Sequence, residues 1–417
     1  MYINRELEET VTPFMKRREA IAIIGPRQCG KTTLLKHIAD DLTRSEKKVR
    51  FLTFEKRSDL ALFDESIEDF RKLIARDQAV IIDEFQYARD GGQKLKYLYD
   101  TTEIKFIVSG SSSLELTFQT GKYMVGRMLD FTLLPFSFRE FLSHHDKDMH
   151  TLLTENVGHA SLFSFNPISG FASEVNTRLA HALERYALFG GYPAVVLAES
   201  VEEKQKLLEG IVDKYISRDI RELLRLTTDD ALVRLARLLS AQAGSIINYS
   251  ELSSSVGIST RDIRSHISIL EKTFIISLAR PFFRNKRTEL VKNPKVYLRD
   301  CGVRNYLLND FREVKVRLDA GALMENYAFG MLAHRLPQKQ LRYWRTKSKA
   351  EVDFVVEEKQ NIVPIEVKYA SVPRLGKSYH SFLHSFSPAQ GIILTKDTLA
   401  TETVGKTKIT LVPLSYF

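Results

Sequence analysis

The stretch AIAIIGPRQCGKTTLLKHIA, Ala20 to Ala39, decides how the first part of the chain folds. Ile21 to Ile24 form an apolar run of strand length. Gly25-x-x-x-x-Gly30-Lys31-Thr32 follows, and then a helical pattern. Phosphate binding needs this order. Glycines let backbone N–H groups curl around phosphate oxygens, and a helix start adds partial positive charge. Gly25, Pro26, Arg27, Gln28, Cys29, Gly30, Lys31, Thr32 and Thr33 are therefore the expected cradle for ATP. Lys31 is expected to reach the β- and γ-phosphates, and Thr32 to hold Mg2+. Cys29 reads as a small filler of the loop, not a redox group.

Further along, AVIIDEFQYA begins at Ala79. Four apolar residues running into Asp83-Glu84 mark a buried parallel strand with acids at its C-terminal edge. Asp83 is expected to support Mg2+, and Glu84 to orient or deprotonate the attacking water. A third strand, IKFIVSGSSSLEL (Ile104 to Leu116), ends in hydroxyls. Ser109 or Ser111 can act there as a sensor of the γ-phosphate, and an ordinary Ser/Gly turn is the competing reading. Arg127, after a glycine in VGRMLDF, is a candidate arginine finger reaching across a subunit interface.

The composition is that of an ordinary globular protein. Of 417 residues, 44% are hydrophobic and 27% charged. No apolar run approaches the ~18 residues a membrane helix needs, and the charged start lacks an apolar signal core. Two cysteines make no disulfide framework, so a reducing cytoplasm is expected and a membrane is not. The net charge of +9 allows an anionic partner such as DNA.

The ordered set Gly25–Thr32, IIDEFQ, VSGSSS, GR before LLPFSFREF, and LFGGYPAVV at Leu188 resembles the bacterial and archaeal AAA+-type ATPases that carry a C-terminal domain of unknown function. These are relatives of the P-loop signalling ATPases. The resemblance spans nearly the whole chain. It implies a P-loop core of the ASCE class, Glu84 as catalytic acid, and Arg127 in the recurring GR step. Residues His144 to Ser173 depart from the pattern and read as an insertion or flexible loop.

From Glu174 to Leu239 the pattern is helical, with GGYP as a turn. Arg218 and Asp219 read as a solvated ion pair on one of these helices. Residues 250–256 then read as a short helix, Gly257 as a turn, and Ser259 as the cap of a second helix with Asp262 at its third position. That is helix–turn–helix spacing. Strands are expected at Phe274–Leu278 and Lys295–Leu298, separated by a basic loop holding Arg280, Arg284, Lys286, Arg287 and Lys292 among Phe282 and Phe283. The unit resembles a winged helix. Arg261, Arg264 and His266 can then approach DNA, while Arg284, Lys286 and Arg287 touch phosphates. The competing reading is a module that only packs against protein.

Near the end, EVDFVVEEKQNIVPIEVKY (Glu351 to Tyr369) reads as a hairpin with charges inside its apolar runs. Alternation places Val352, Phe354 and Val356 on one face and Asp353 on the other. Glu366 and Lys368 share a face of the second strand. Glu325 lies on the apolar face of the helix GALMENYAFGMLAHRL, with Ala322, Phe329 and Leu332. Carboxylates in such a set suit Mg2+ or Mn2+, and a lysine beside them suits a phosphodiester. The order Glu325, Asp353, Glu366-x-Lys368 resembles the PD-(D/E)xK nucleases, with Val352 where proline is usual. The resemblance implies Glu325, Asp353 and Glu366 as metal ligands and Asp353, Glu366 and Lys368 as catalytic residues. Lys347, among Arg342, Arg345 and Lys349 around Trp344, is a candidate nucleic-acid flank. The competing reading is a buried ion-pair network.

The expected organisation is a P-loop ATPase core (1–143), an insertion and helical bundle (144–240), a winged helix (241–300) and an α/β restriction-endonuclease-like domain (301–417). The expected function is Mg2+-dependent ATP hydrolysis coupled to DNA binding and metal-dependent DNA cleavage, in a homo-oligomer. The alternative is a nucleotide-switched regulatory or scaffold protein whose nuclease-like part only binds a partner. Nothing in the sequence resembles a small-molecule kinase acceptor site.

Overall fold

The computed structural model describes residues 2–110, 123–157, 170–214, 230–283, 286–358, 361–370 and 372–416. The chain divides into two compact units. The first is Met1–Phe136 with Lys272–Phe274, and the second is Ser137–Glu271 with Ile275–Phe417.

In the first unit, β1 (Ala20–Ile24), β2 (Val49–Thr53), β3 (Ala79–Asp83), β4 (Lys105–Gly110) and β5 (Met128–Thr132) form one sheet in the order β2-β3-β4-β1-β5. Every pairing is parallel. Parallel strands need crossovers, and helices such as Lys31–Arg44 and Gly91–Thr101 supply them. Alternation splits the apolar residues between two cores. Ala20, Ala22, Val80 and Ile82 enter one core, with Phe54, Phe63 and Phe85. Ile21, Ile23, Ile81 and Ile107 enter the other, with Leu34 and Leu35. A sheet covered on both faces explains why these strands read as unbroken apolar runs. Gly25–Lys31 and Asp83–Glu84 both lie at carboxyl ends of strands, where open α/β sheets bind ligands. This is the parallel α/β core of the P-loop class.

The second unit begins with helices. Lys147–Val157 is one of them, inside the segment expected to be a loop. Met149, Leu153 and Val157 recur every four residues and are buried, so the apolar stripe makes a helix there. Helices Ser173–Phe189, Pro193–Leu197, Val201–Lys214 and Asp230–Ala241 follow. Arg218 and Asp219 lie outside the described residues. Tyr249–Val256 and Thr260–Lys272 form the expected helix pair. Gly257 closes the first at φ 80°, and Ser259 Oγ accepts from Asp262 N at 3.2 Å.

Strands β6 (Ile276–Pro281), β7 (Lys295–Leu298), β8 (Leu341–Arg345), β9 (Glu351–Glu358), β10 (Asn361–Lys368), β11 (Gln390–Thr395), β12 (Ala400–Val404) and β13 (Thr407–Pro413) make one sheet, ordered β12-β13-β11-β10-β9-β8-β6-β7. The sheet therefore continues across residue 300, because β6 pairs with β8 at Arg280↔Arg342 and Pro281↔Tyr343. Strand β6 starts later than expected, since Phe274 turns the chain at φ 62°. The expected basic loop after it contains a short helix, Lys286–Val291.

Candidate nucleotide site and a buried carboxylate cluster

The phosphate loop is held from below by its own side chains. Lys31 is buried, and its Nζ donates to Gly25 O at 3.1 Å and Pro26 O at 2.9 Å. These carbonyls park the ammonium in the loop. Gly30 takes φ 99° and Gln28 φ 61°, the left-handed turns that curl the backbone. A Cβ on Gly25 would lie 2.0 Å from Leu133 O, so only glycine fits there. Cys29 is fully buried, with Sγ 3.4 Å from Leu133 O, and burial pushes its thiol up. It is the filler expected. Gln28 and Thr33 are exposed, and Arg27 is half-buried.

Thr32 Oγ1 donates to Asp83 Oδ2 at 2.6 Å. A hydroxyl and a carboxylate in contact are hard oxygen donors of the kind Mg2+ takes beside phosphate and water, so these residues fit the ion. Ser109 is buried, donates to Asp83 Oδ1 and accepts from Glu84 N at 3.1 Å. Its hydroxyl is thus committed to the Asp83 carboxylate and the Glu84 backbone. Ser111, the other candidate sensor, lies outside the described residues. Glu84 sits at φ 53°, and Gln86 Nε2 donates to its Oε2. Arg127 Nε donates to Asp100 Oδ1 at 2.9 Å.

Arg5 completes this site and was not singled out from the sequence. Only 5% exposed, it donates from Nη1 to Cys29 O at 2.9 Å and from Nη2 to Leu134 O at 2.6 Å. Its guanidinium lies 4.7 Å from the centroid of the Phe136 ring. Arg5 N donates to Glu8 Oε1 at 2.7 Å, which anchors the helix Glu6–Val11 beside it. One arginine among many early charges gives no signal in sequence.

In the second unit the hairpin forms as expected. Strands β9 and β10 are antiparallel, with Phe354 opposite Ile365. Asp353 Oδ2 accepts from Val367 N at 2.9 Å, and Lys368 Nζ donates to Glu366 Oε1 at 2.7 Å. The expected facing of β9 needs correction. Val352 joins Val355, Trp344 and Phe382 in one core, whereas Phe354 packs on Tyr297 and Phe329. The cause is a bulge: β8 advances two residues, Arg342 to Trp344, while β9 advances three, Val355 to Val352. The extra residue breaks strict alternation there.

The bulge leaves Asp353 facing a residue that sequence reading passed over, Lys295. Its side chain is 1% exposed, and its Nζ stands 2.6 Å from Glu351 Oε1, 3.2 Å from Glu325 Oε1 and 3.9 Å from Asp353 Oδ1. Tyr297 Oη donates to the same Glu325 Oε1 at 2.7 Å. Lys295 and Tyr297 are two apart on β7 and so share a face. Burial pulls the Lys295 ammonium down, but Glu325, Asp353 and Glu351 outweigh it and hold the group protonated. Burial, then the Asp353 charge, pushes Glu325 up to about 7 and Glu366 up to about 7. Asp353 is raised too, chiefly by burial. Among the described residues no group of three or more His, Cys, Asp or Glu is arranged to hold a metal ion. The expected ligand set Glu325, Asp353 and Glu366 does not fit a divalent ion, because the Lys295 ammonium is bonded to Glu325 and stands 3.9 Å from Asp353, and Lys368 is bonded to Glu366. A lysine at the head of the apolar run KVYL was the available signal.

Several candidate nucleic-acid contacts also move. His266 is buried, with Ile263 and Ile267, so it faces inward. Trp344 and Phe282 are buried against Phe382 and Phe386 and present no face to a base. Arg342 pairs with Glu357 at 2.8 Å and Arg345 with Glu351 at 3.0 Å. Arg261, Arg264, Arg287 and Lys347 are exposed, and Arg264 lies 3.8 Å over the Tyr249 ring. Lys286 opens the helix Lys286–Val291. Arg284 lies outside the described residues.

Asp300 ties the GGYP turn to the helix Cys301–Leu308. Its carboxylate accepts from Gly191 N at 2.7 Å and Val303 N at 2.9 Å. Burial pushes it up to about 6.

Residues 17–142 match the AAA domain family. Residues 180–313 and 320–417 match two domains of unknown function, DUF8612 and DUF4143. An uncharacterized protein of Mycobacterium tuberculosis is 24% identical over 373 residues, covering 88% of this chain and 74% of that protein. One from Haemophilus influenzae is 23% identical over 410 residues, covering 94% and 92%. The Aeropyrum pernix ORC2 protein in its ADP form aligns over 80% of this chain and 95% of that one at 12% identity. Its TM-score of 0.32 is too low to bear on fold or function. No helix among the described residues is long and apolar enough to cross a membrane.

Proposed function

Since residues 17–142 are an AAA-type P-loop domain, we propose that this chain is a Mg2+-dependent ATPase whose nucleotide state controls binding of DNA by its second unit. The observation that carries the ATPase reading is the Thr32 Oγ1–Asp83 Oδ2 contact at 2.6 Å beside a Lys31 held in the loop. Thr32 and Asp83 would hold Mg2+, which neutralises phosphate charge when bound. Lys31 exchanges loop carbonyls for the β- and γ-phosphates. Glu84 accepts a proton from the attacking water, and Gln86 and Ser109 fix its placement. Arg127 serves a neighbouring copy, exchanging Asp100 for that copy's phosphate.

DNA is supported by the net charge of +9 and by exposed Arg261 and Arg264 on the helix after the Gly257 turn. The C-terminal acids are not a cleavage site in this reading, because Lys295 is bonded to Glu325 and Glu351. The second unit is read as a binding module.

Steady-state ATP turnover tests the reading. Lys31→Ala and Glu84→Gln are each expected to lower kcat by about 100-fold or more. Full turnover in Lys31→Ala would refute it. For DNA, Arg261→Ala with Arg264→Ala is expected to weaken binding and flatten its salt dependence by about two charges. An unchanged salt slope refutes that contact.

A further inference from the structure

We propose that Lys295 is the resident cation of the second unit: its ammonium stands in for a divalent metal ion among Glu325, Glu351 and Asp353. This inference is independent of ATP hydrolysis and survives if that reading fails. Three carboxylates converge on one buried nitrogen, at 2.6, 3.2 and 3.9 Å. A cluster of acids in this setting must be neutralised, by protons, by a metal or by a basic side chain. Here the basic side chain is built in. It enters from β7, a strand outside the hairpin that carries Asp353 and Glu366.

The surrounding residues are shaped for this occupant. Tyr297, two residues on, shares Glu325 Oε1 with Lys295, so both side chains fix one carboxylate. Gly244 leaves room for it: a Cβ there would come within 3.0 Å of the Glu325 carboxyl. Arg345 bonds Glu351 at 3.0 Å, and Lys368 bonds Glu366 at 2.7 Å. Each acid therefore has a cationic or hydrogen-bonding partner from the chain itself. A divalent ion entering would meet a fixed positive charge at contact distance from the same oxygens. The cluster becomes a cation site only when the lysine is removed, and the class it would then take is a hard divalent ion such as Mn2+.

The test is Mn2+ binding to the full, nucleotide-free chain, read as loss of the free-ion EPR signal. Wild type and Asp353→Asn are expected to bind Mn2+ alike. Lys295→Met is expected to bind at least about tenfold more tightly, and Lys295→Met with Asp353→Asn to lose that gain. Lys295→Arg, which keeps the charge, is expected to behave as wild type. Any weak Mn2+ site at Thr32 and Asp83 is common to all variants and cancels. Wild type taking up Mn2+ in a way that Asp353→Asn abolishes overturns the proposal. So does a folded Lys295→Met chain with no gain. If Lys295→Met does not fold, the wild-type and Asp353→Asn comparison decides.

Discussion

Replacing Arg5 by alanine removes the clamp under the phosphate loop. The guanidinium donates to backbone carbonyls, at 2.9 Å to Cys29 and 2.6 Å to Leu134, and faces the Phe136 ring at 4.7 Å. Hydrogen bonds with a charged partner contribute about 1.5–3 kcal/mol each, and a desolvated cation–π contact about 2 kcal/mol. The gross sum is about 5–8 kcal/mol, and the cost of burying a guanidinium offsets several of these. A net loss of about 3 kcal/mol follows, large against a domain stability of about 5–15 kcal/mol. Part of it falls on the loop, because Cys29 O is released next to Gly30 and Lys31. Binding of a fluorescent ATP analogue is expected to weaken about tenfold or more. Arg5→Lys is expected to recover only part of this, since a point donor cannot span both carbonyls. The single tryptophan, Trp344, lies in the second unit, so its fluorescence transition in urea reports that unit. That transition is expected to stay in place while nucleotide binding falls. Arg5→Ala with nucleotide affinity within about twofold of wild type refutes the reasoning.

Two further outcomes concern the Asp300 turn. Gly190→Ala would force a side chain into φ 74° and set its Cβ 2.1 Å from Asp300 Oδ1. Unfolding of the second unit, followed by Trp344 fluorescence, is expected to come about 3 kcal/mol easier, and a change within about 0.5 kcal/mol refutes the clash. Asp300 has a folded pKa raised to about 6 from an ordinary 3.8. A carboxyl so raised binds its proton more tightly when folded. Its contribution to stability is therefore full below about pH 4 and lost as pH rises through about 6, amounting to about 3 kcal/mol. The difference in unfolding free energy between wild type and Asp300→Asn should change by that amount across the window, and a pH-independent difference refutes it.

The two sites differ in how legible they were. The phosphate loop is read from adjacent residues, because strand, glycines, lysine and hydroxyl all lie within Ile21–Thr32. Asp83 and Glu84 follow from the end of an apolar run, and the fold sets Asp83 beside Thr32. The C-terminal acids were equally visible as charges in apolar strands. Their companion was not. Lys295 lies 30 residues before Glu325 in the chain, and no local pattern joins a lysine on β7 to acids on a helix and on β9. Trp344 and His266 failed as candidate contacts for a related reason. An aromatic beside arginines reads as a stacking platform until packing on Phe382 and Phe386 decides its side.

Sequence alone determined the parallel core, the helix pair around Gly257 and the hairpin of β9 and β10. The strands of that core, the helix pair and the hairpin are each a local matter of period, caps and turn residues, fixed within about twenty residues of chain. Tertiary structure alone decided which charge neutralises which. Coulomb attraction depends on distance through space and on burial, and neither is written in chain order. It brought Arg5 under the loop at Cys29, bulged β9 so that Asp353 faces Lys295, and filled an apparent metal cluster with an ammonium ion.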